Sequence, residues 1–260
     1  MKAVALAVIL LSSVFPAWAQ TVSNPSAARD TAIYSENDNS NGIGTYLFSG
    51  VTRQGDFRRS LIAFNLSGIP AGATVTDVTL TLNVSLVAPV LSSTTVSLHE
   101  VRADWAEGTS NAGSPGGQGA APTQGDATWN FRSFSTDSWA DPGGDFANSP
   151  SASTTIINLT GPYDWTGAGL ISDVQGWINN PGSNRGWILV GDEAGLQNAV
   201  RYDSREAVNP ADRPQLTVTY TAPTGVGQTG PIAVPTMGLP GLLLLALILG
   251  GLGMFRARKD

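Results

Sequence analysis

Residues 78–84 read Val-Thr-Leu-Thr-Leu-Asn-Val, in which aliphatic and polar residues alternate strictly. Because successive side chains of a strand point to opposite faces, the four aliphatic residues share one face and the three polar residues share the other. The pattern is typical of an antiparallel strand with one face buried and the other in water. It predicts a half-buried strand in an antiparallel sheet.

Similar alternation occurs on both sides of this stretch. In segment 59–66, Ile62, Phe64 and Leu66 share one side, and turn residues follow at 69–72. The 30 glycines and 16 prolines, with only 13% charged residues, favour short strands and many turns. Further strands are predicted at 30–34, 95–101, 187–190 and 214–220.

One segment has helical spacing instead. Apolar residues recur at Leu170, Val174, Trp177 and Ile178, which places them on one helical face. They predict a short helix over 167–179, which the following Asn-Pro-Gly ends. We therefore expect an all-β domain of antiparallel strands with one short helix.

The long stretch 106–153 has no strand or helix pattern and is rich in Gly, Pro, Ser and Asp. It nevertheless carries five aromatic residues, which a flexible linker would not need. We expect an ordered loop excursion packed by its own rings. These rings are Trp129, Phe131, Phe134, Trp139 and Phe146.

The two ends of the chain indicate export and anchoring. Residues 1–19 have a lysine, an apolar stretch and an Ala-Trp-Ala site, which predicts a signal peptide cleaved after Ala19. An apolar run begins at Leu239 and ends at Phe255, close to the shortest length that spans a bilayer. Basic residues follow at 256–259, so we expect a C-terminal transmembrane helix with a cytoplasmic end. A buried core helix is the alternative.

Composition excludes several classes of site. The chain has no cysteine, so disulfides, thiolate metal sites and a lipoprotein anchor are excluded. The net charge is −6, and no basic stripe with interleaved aromatics occurs. We therefore expect no nucleic-acid partner.

Six segments form an ordered set along the chain, at 59–75, 104–108, 125–145, 173–187, 202–206 and 213–220. Together they resemble DNRLRE domains, which are related to carbohydrate-binding module family 96. The resemblance covers 30–220 and implies a jelly-roll-like antiparallel β-sandwich that binds glycans or has a structural role on secreted proteins; it does not imply catalysis. By composition, residues 20–29 are expected to be a loose leader and 221–233 a Pro/Gly/Thr linker.

The tail 234–260 is similar to IPTL-CTERM sorting signals, relatives of the PEP-CTERM type. The motif residues are Val234, Pro235, Thr236 and Met237, with Val and Met in place of the usual Ile and Leu. The resemblance implies an exosortase-like processing enzyme as a partner and the surface or matrix of a Gram-negative bacterium as the location. The anchor is then either retained or removed after sorting.

Sugar binding would depend on exposed aromatic rings beside polar groups. Trp129, Trp139 and Trp165 lie in loop-like segments and are the candidate ligand-binding residues, with structural packing as the alternative for all three. The other tryptophans of regular segments are expected in the core. These are Trp105, Trp177 and Trp187.

A structural calcium ion is the one cofactor considered. Calcium takes six to eight oxygen ligands, and Asp145 in a Pro-Gly-Gly-Asp turn could bind it together with Asp30 or Glu206. In the alternative, Asp145 only caps the turn. For Arg205 and Glu206, a buried pair that fixes loop geometry is preferred to a ligand role.

No catalytic residues are assigned. The one histidine, His99, is expected to point outward from its strand, and no Gly-x-Ser-x-Gly elbow is present. Three hypotheses follow in order: a surface-anchored module that binds extracellular polysaccharide, a structural or adhesive matrix protein, and a glycan-active enzyme. The carboxylates that the third would draw on are Asp104, Glu107, Asp126, Asp145, Asp203 and Glu206.

Overall fold

The computed structural model describes residues 20–223, which form a mostly antiparallel β structure with one short α-helix. The helix α1 is Ala168–Asn179, and two 3₁₀ turns lie at Pro181–Ser183 and Pro210–Asp212. The strands are β1 Gln20–Ser23, β2 Ala27–Tyr34, β3 Tyr46–Val51, β4 Phe57–Phe64, β5 Thr74–Val87, β6 Ser93–Glu100, β7 Phe131–Ser133, β8 Asp137–Ser138, β9 Ala152–Ile157, β10 Gly161–Thr166, β11 Trp187–Val190, β12 Val200–Asp203 and β13 Gln215–Thr221.

Eleven of these strands form one curled sheet, in which β3 joins two halves. The first half contains β1, β13, β5, β12 and β10, and the second contains β2, β4, β11, β6 and β9. Strand β3 pairs with β12 through residues 46–49 and with β4 through Gly50 and Val51. Gly50 has φ +102° at this junction, a conformation that glycine adopts without strain.

The two halves enclose a shared hydrophobic core. Leu80 and Leu82 of β5 belong to the same buried cluster as Leu98 of β6 and Leu189 of β11. The opposite face of β5 carries half-buried Thr and Asn side chains. The half-buried strand predicted at 78–84 is confirmed, as is the mostly antiparallel β class.

Helix α1 packs its apolar face on this core. All four residues with helical spacing are buried, and Trp177 lies 4.6 Å from Trp187, measured between ring centroids. The indole Nε1 of Trp187 donates to Asp173 of the helix at 2.7 Å. The predicted helix is confirmed to within one residue at its start.

The expectation of a loose leader at 20–29 is wrong. Strand β1 pairs with β13, with Gln20 opposite Thr221, and β2 begins at Ala27. β13 would otherwise present an open edge with unpaired backbone groups, and β1 covers it. Thr221, expected to begin the linker, is the last residue of β13.

The excursion 106–153 contains only the short strands β7 and β8 before β9 begins at Ala152. Its rings pack on one another and on the sheet: Phe131 and Phe134 meet edge to face at 5.4 Å. Trp139 joins a second buried cluster with Leu61 and Ile188. The excursion is ordered by its aromatic residues, as predicted.

The predictions for the signal peptide with cleavage at Ala19, for the sorting motif 234–237 and for the apolar run 239–255 lie outside the described residues. Within 20–223, no helix is long and apolar enough to cross a membrane.

Candidate functional site

Three carboxylates from distant parts of the chain meet beside the second half of the sheet. Asp30 lies in β2, Glu107 in the loop after β6, and Glu206 in the turn after β12. One carboxylate oxygen from each lies within 4.8 Å of the other two. We call these three residues the acidic cluster.

Arg205 links the members of the acidic cluster. Its guanidinium binds Glu107 through two hydrogen bonds, Nε to Oε1 at 2.8 Å and Nη2 to Oε2 at 2.7 Å. Its backbone N–H donates to Asp30 Oδ2 at 2.8 Å, and the backbone N–H of Asp30 donates to Glu107 Oε1 at 2.8 Å. The cluster is therefore held in a fixed geometry.

One oxygen of the cluster has no donor. Asp30 is 1% exposed, and its Oδ1 is buried without a hydrogen-bond partner. Burial raises the pKa of Asp30 well above its usual range, and the nearby Glu206 carboxylate raises it further. Both effects disfavour a bare negative charge at this position.

Glu206 sits at the more open side of the cluster. Its Oε1 is 3.0 Å from Arg205 Nε, and its Oε2 accepts a hydrogen bond from Ser204 Oγ at 3.0 Å. Burial raises the pKa of Glu206, while the Arg205 charge opposes this shift. The predicted Arg205–Glu206 pair is present but only half-buried, and the two-bond partner of Arg205 is Glu107.

The structure brings Asp30 and Glu206 together, but Asp145, around which the calcium hypothesis was built, is not part of the cluster. The Asp145 carboxylate accepts the backbone N–H groups of Ala140 and Asp141 at 3.1 and 3.0 Å. Asp145 thus caps its own turn, which corrects its assignment as a metal ligand. Glu107 takes its place in the cluster. The sequence marked Glu107 only as one of six candidate carboxylates of a glycan-active enzyme and as part of segment 104–108.

Trp165 is fully buried in β10, not exposed in a loop. Its ring packs against Tyr202 with 6.2 Å between centroids. Trp139 is 5% exposed, and its Nε1 donates to the carbonyl of Thr128 at 2.9 Å. Neither ring can stack on a sugar, so the assignment of these two residues to ligand binding is wrong.

Trp129 is the only half-buried tryptophan in the part of the chain that the structure describes. Phe57 stacks on its ring at 5.8 Å with 14° between planes, and the Arg59 guanidinium lies 4.8 Å from the ring centroid. Arg59 is itself paired with Glu193. The ring is therefore engaged by protein neighbours.

The three tryptophans expected in the core are all buried.

A polar cleft lies next to the second half of the sheet, with a volume of about 480 Å³. Amide and carboxylate side chains line it, among them Asn37, Asn39, Gln54, Asp56 and Gln118. No aromatic residue lines the cleft. The cleft offers hydrogen bonds but no ring on which a sugar could stack.

The other carboxylates named for a glycan-active enzyme are each paired with protein groups that lie close in space. Asp126 is fully buried and accepts the N–H groups of Thr109, Ser110 and Thr123. Asp203 accepts from Asn83 at 2.7 Å, and Asp104 pairs with Arg29 at 2.8 Å.

The environment of His99 differs from the prediction. The side chain was expected among solvated groups, but it is half-buried, with Nδ1 2.8 Å from the carbonyl oxygen of Ala147. Its ring meets Phe146 edge to face at 5.3 Å. Phe146 and Ala147 thus cover it.

None of the protein-family models or curated proteins compared with the chain matches it.

Proposed function

We propose that the protein is an exported, surface-anchored, non-catalytic β-sandwich of jelly-roll type with a structural or adhesive role in an extracellular matrix. The observation that carries this proposal is the burial of the tryptophans. Five of the six in 20–223 are buried, and the sixth is engaged by Phe57 and Arg59. Sugar-binding surfaces typically offer exposed rings, and none of the described aromatic side chains is exposed.

Export and anchoring are supported by the sequence of the two ends. The signal-peptide pattern at 1–19 and the apolar run with its basic end at 239–259 frame the described domain. The Val-Pro-Thr-Met motif supports processing by an exosortase-like enzyme. The resemblance to DNRLRE domains supports the same non-catalytic role.

The absence of catalysis is supported by the state of the carboxylates. Asp30 and Glu206 are two close carboxylates with raised pKa values, and glycosidases also use a close pair of carboxyl groups, one of which has a raised pKa. However, the unpaired oxygen of Asp30 is closed to solvent, so it cannot reach a glycosidic bond.

The test is a cohesion assay on Gram-negative cells that make the full chain, with a chain that ends after residue 233 as the control. We expect the full chain to stay with the cells and to speed their sedimentation, and the shortened chain to appear in the medium without that effect. Equal cohesion with both chains would contradict the proposal.

A second candidate function is the binding of extracellular polysaccharide through the polar cleft. The amide-rich lining supports it, because such side chains can donate to and accept from sugar hydroxyls. A glycan array of the full chain would test it, with Gln54→Ala and Gln118→Ala as cleft variants and Gln124→Ala as the control outside the cleft. Saturable binding that only the cleft variants lose would favour this function over the first.

A further inference from the structure

The acidic cluster has the spacing of a cation site. Oxygens that bind one Ca²⁺ lie about 2.3–2.6 Å from it, so two ligands are at most about 5 Å apart. The three carboxylate oxygens, all within 4.8 Å of one another, satisfy this limit. Oxygens opposite each other on Mg²⁺ are only about 4.2 Å apart. Oxygen separations of up to 4.8 Å are therefore all compatible with Ca²⁺, but only the shorter ones are compatible with Mg²⁺.

Asp30 Oδ1 gives an independent indication of a ligand. Its partner oxygen Oδ2 is occupied by the Arg205 N–H, whereas Oδ1 is buried and accepts nothing from the described residues. A buried carboxylate oxygen without a donor is costly, and a bound ion is one of the few features that explains it. The Asp30 side chain faces the Glu206 carboxylate, which lies within hydrogen-bonding reach of it.

The net charge of the acidic cluster and Arg205 also favours a bound cation. Glu107, Glu206 and Arg205 are the charged groups that act on Asp30. When all three carboxylates are ionised, the cluster and the Arg205 guanidinium together carry two net negative charges. One divalent cation neutralises them.

The ligand types select among cations. Every side chain that the cluster offers binds through oxygen, and such a set suits hard cations rather than zinc or copper. Mg²⁺ is usually held by one or two carboxylates and keeps several waters, so three carboxylates favour calcium.

We propose that Asp30, Glu107 and Glu206 bind one calcium ion, which links β2 to the loops after β6 and β12. Asp30 supplies Oδ1, and Glu206 supplies the carboxylate on the open side, beside Ser204 Oγ. Glu107 supplies a lone pair that Arg205 leaves free. Glu107 and Glu206 are partly exposed, at 18% and 21% of their side chains, so the ion can enter from their side.

The test is calorimetric calcium titration of the full chain, together with thermal melting in EDTA, Ca²⁺ or Mg²⁺. We expect one site per chain and a rise in Tm of roughly 5 to 10 °C at a hundredfold excess of Ca²⁺ over its Kd. Mg²⁺ at the same concentration should give a clearly smaller rise.

Two variants and one control locate the site. Asp30→Asn and Glu206→Gln should each lose the calcium-dependent rise, whereas Asp145→Asn, which changes a carboxylate outside the cluster, should keep it. No calcium binding by the unmutated chain would overturn the proposal, whether or not the variants fold. So would an equal rise with Mg²⁺, or a rise that survives in both cluster variants; a proton held between Asp30 and Glu206 would then explain the unpaired oxygen.

Discussion

The indole Nε1 of Trp165 donates a 2.8 Å hydrogen bond to the backbone carbonyl of Val96. Trp165 lies in β10 of the first half of the sheet, and Val96 lies in β6 of the second half. The bond crosses the core and ties the two halves together. A tryptophan that was a candidate for sugar binding is thus a central packing residue.

Trp165→Ala should lower the free energy of unfolding by about 3–5 kcal/mol, because it leaves a large cavity and an unpaired carbonyl. Trp129→Ala is the matched control, and since its ring is only half-buried its cost should be clearly smaller. Urea denaturation of both variants measures the difference. An equal loss of unfolding free energy in the two variants would contradict the placement of Trp165 in the core.

Arg205→Lys should lower the free energy of unfolding by about 1–3 kcal/mol, since lysine cannot reproduce the two-bond contact with Glu107. Arg132→Lys is the control, because the Arg132–Asp137 pair is largely exposed and such pairs contribute about 0–1 kcal/mol. Chemical denaturation in EDTA checks both. A loss at Arg132 as large as that at Arg205 would contradict the assignment.

Gly50→Ala should destabilise the domain by about 1–3 kcal/mol. At φ +102°, an added Cβ would lie 2.7 Å from Asn198 Oδ1 and 2.8 Å from its carbonyl oxygen. Gly176→Ala is the control: it lies in α1 with open space around the new Cβ, so it should stabilise by about 0.5–1 kcal/mol. Thermal melting of the two variants should show opposite signs.

Asp203 should give the stability a specific pH dependence. Burial raises the pKa of Asp203, although the hydrogen bond from Asn83 opposes the shift. The folded state therefore holds this proton more tightly than the unfolded state. The stability that this brings is fully present below the unfolded pKa and is lost as pH rises through the folded pKa.

Asp203→Asn removes this titration and keeps a side chain that can accept from Asn83. The stability of the unmutated chain relative to this variant should be greater at pH 3 than at pH 7. Urea denaturation at the two pH values measures this difference. A relative stability that is greater at pH 7 would contradict the raised pKa.

The sequence predicts those elements whose burial alternates or repeats. β5 and α1 each bury one face, so their periods of two and of about 3.6 residues are visible in the sequence. β3 is almost wholly buried and therefore has no alternation to detect. β10 begins with Gly161 and Pro162, which indicate a turn more than a strand, and this is why Trp165 was placed in a loop.

The acidic cluster could be predicted only in part. Asp30 and Glu206 were each predicted as a possible calcium ligand beside Asp145, on residue type alone. Glu107 reaches them because the loop after β6 packs against β2, a long-range contact that no local spacing encodes. Asp145 had the more suggestive sequence, but its oxygens are occupied by its own turn.

Hydroxyl-radical footprinting read by mass spectrometry distinguishes tryptophans that hold the domain together from tryptophans that bind sugar. We expect protection of the five buried tryptophans and partial labelling of Trp129, unchanged by added polysaccharide. Rapid labelling of Trp139 or Trp165 that a polysaccharide suppresses would contradict this expectation.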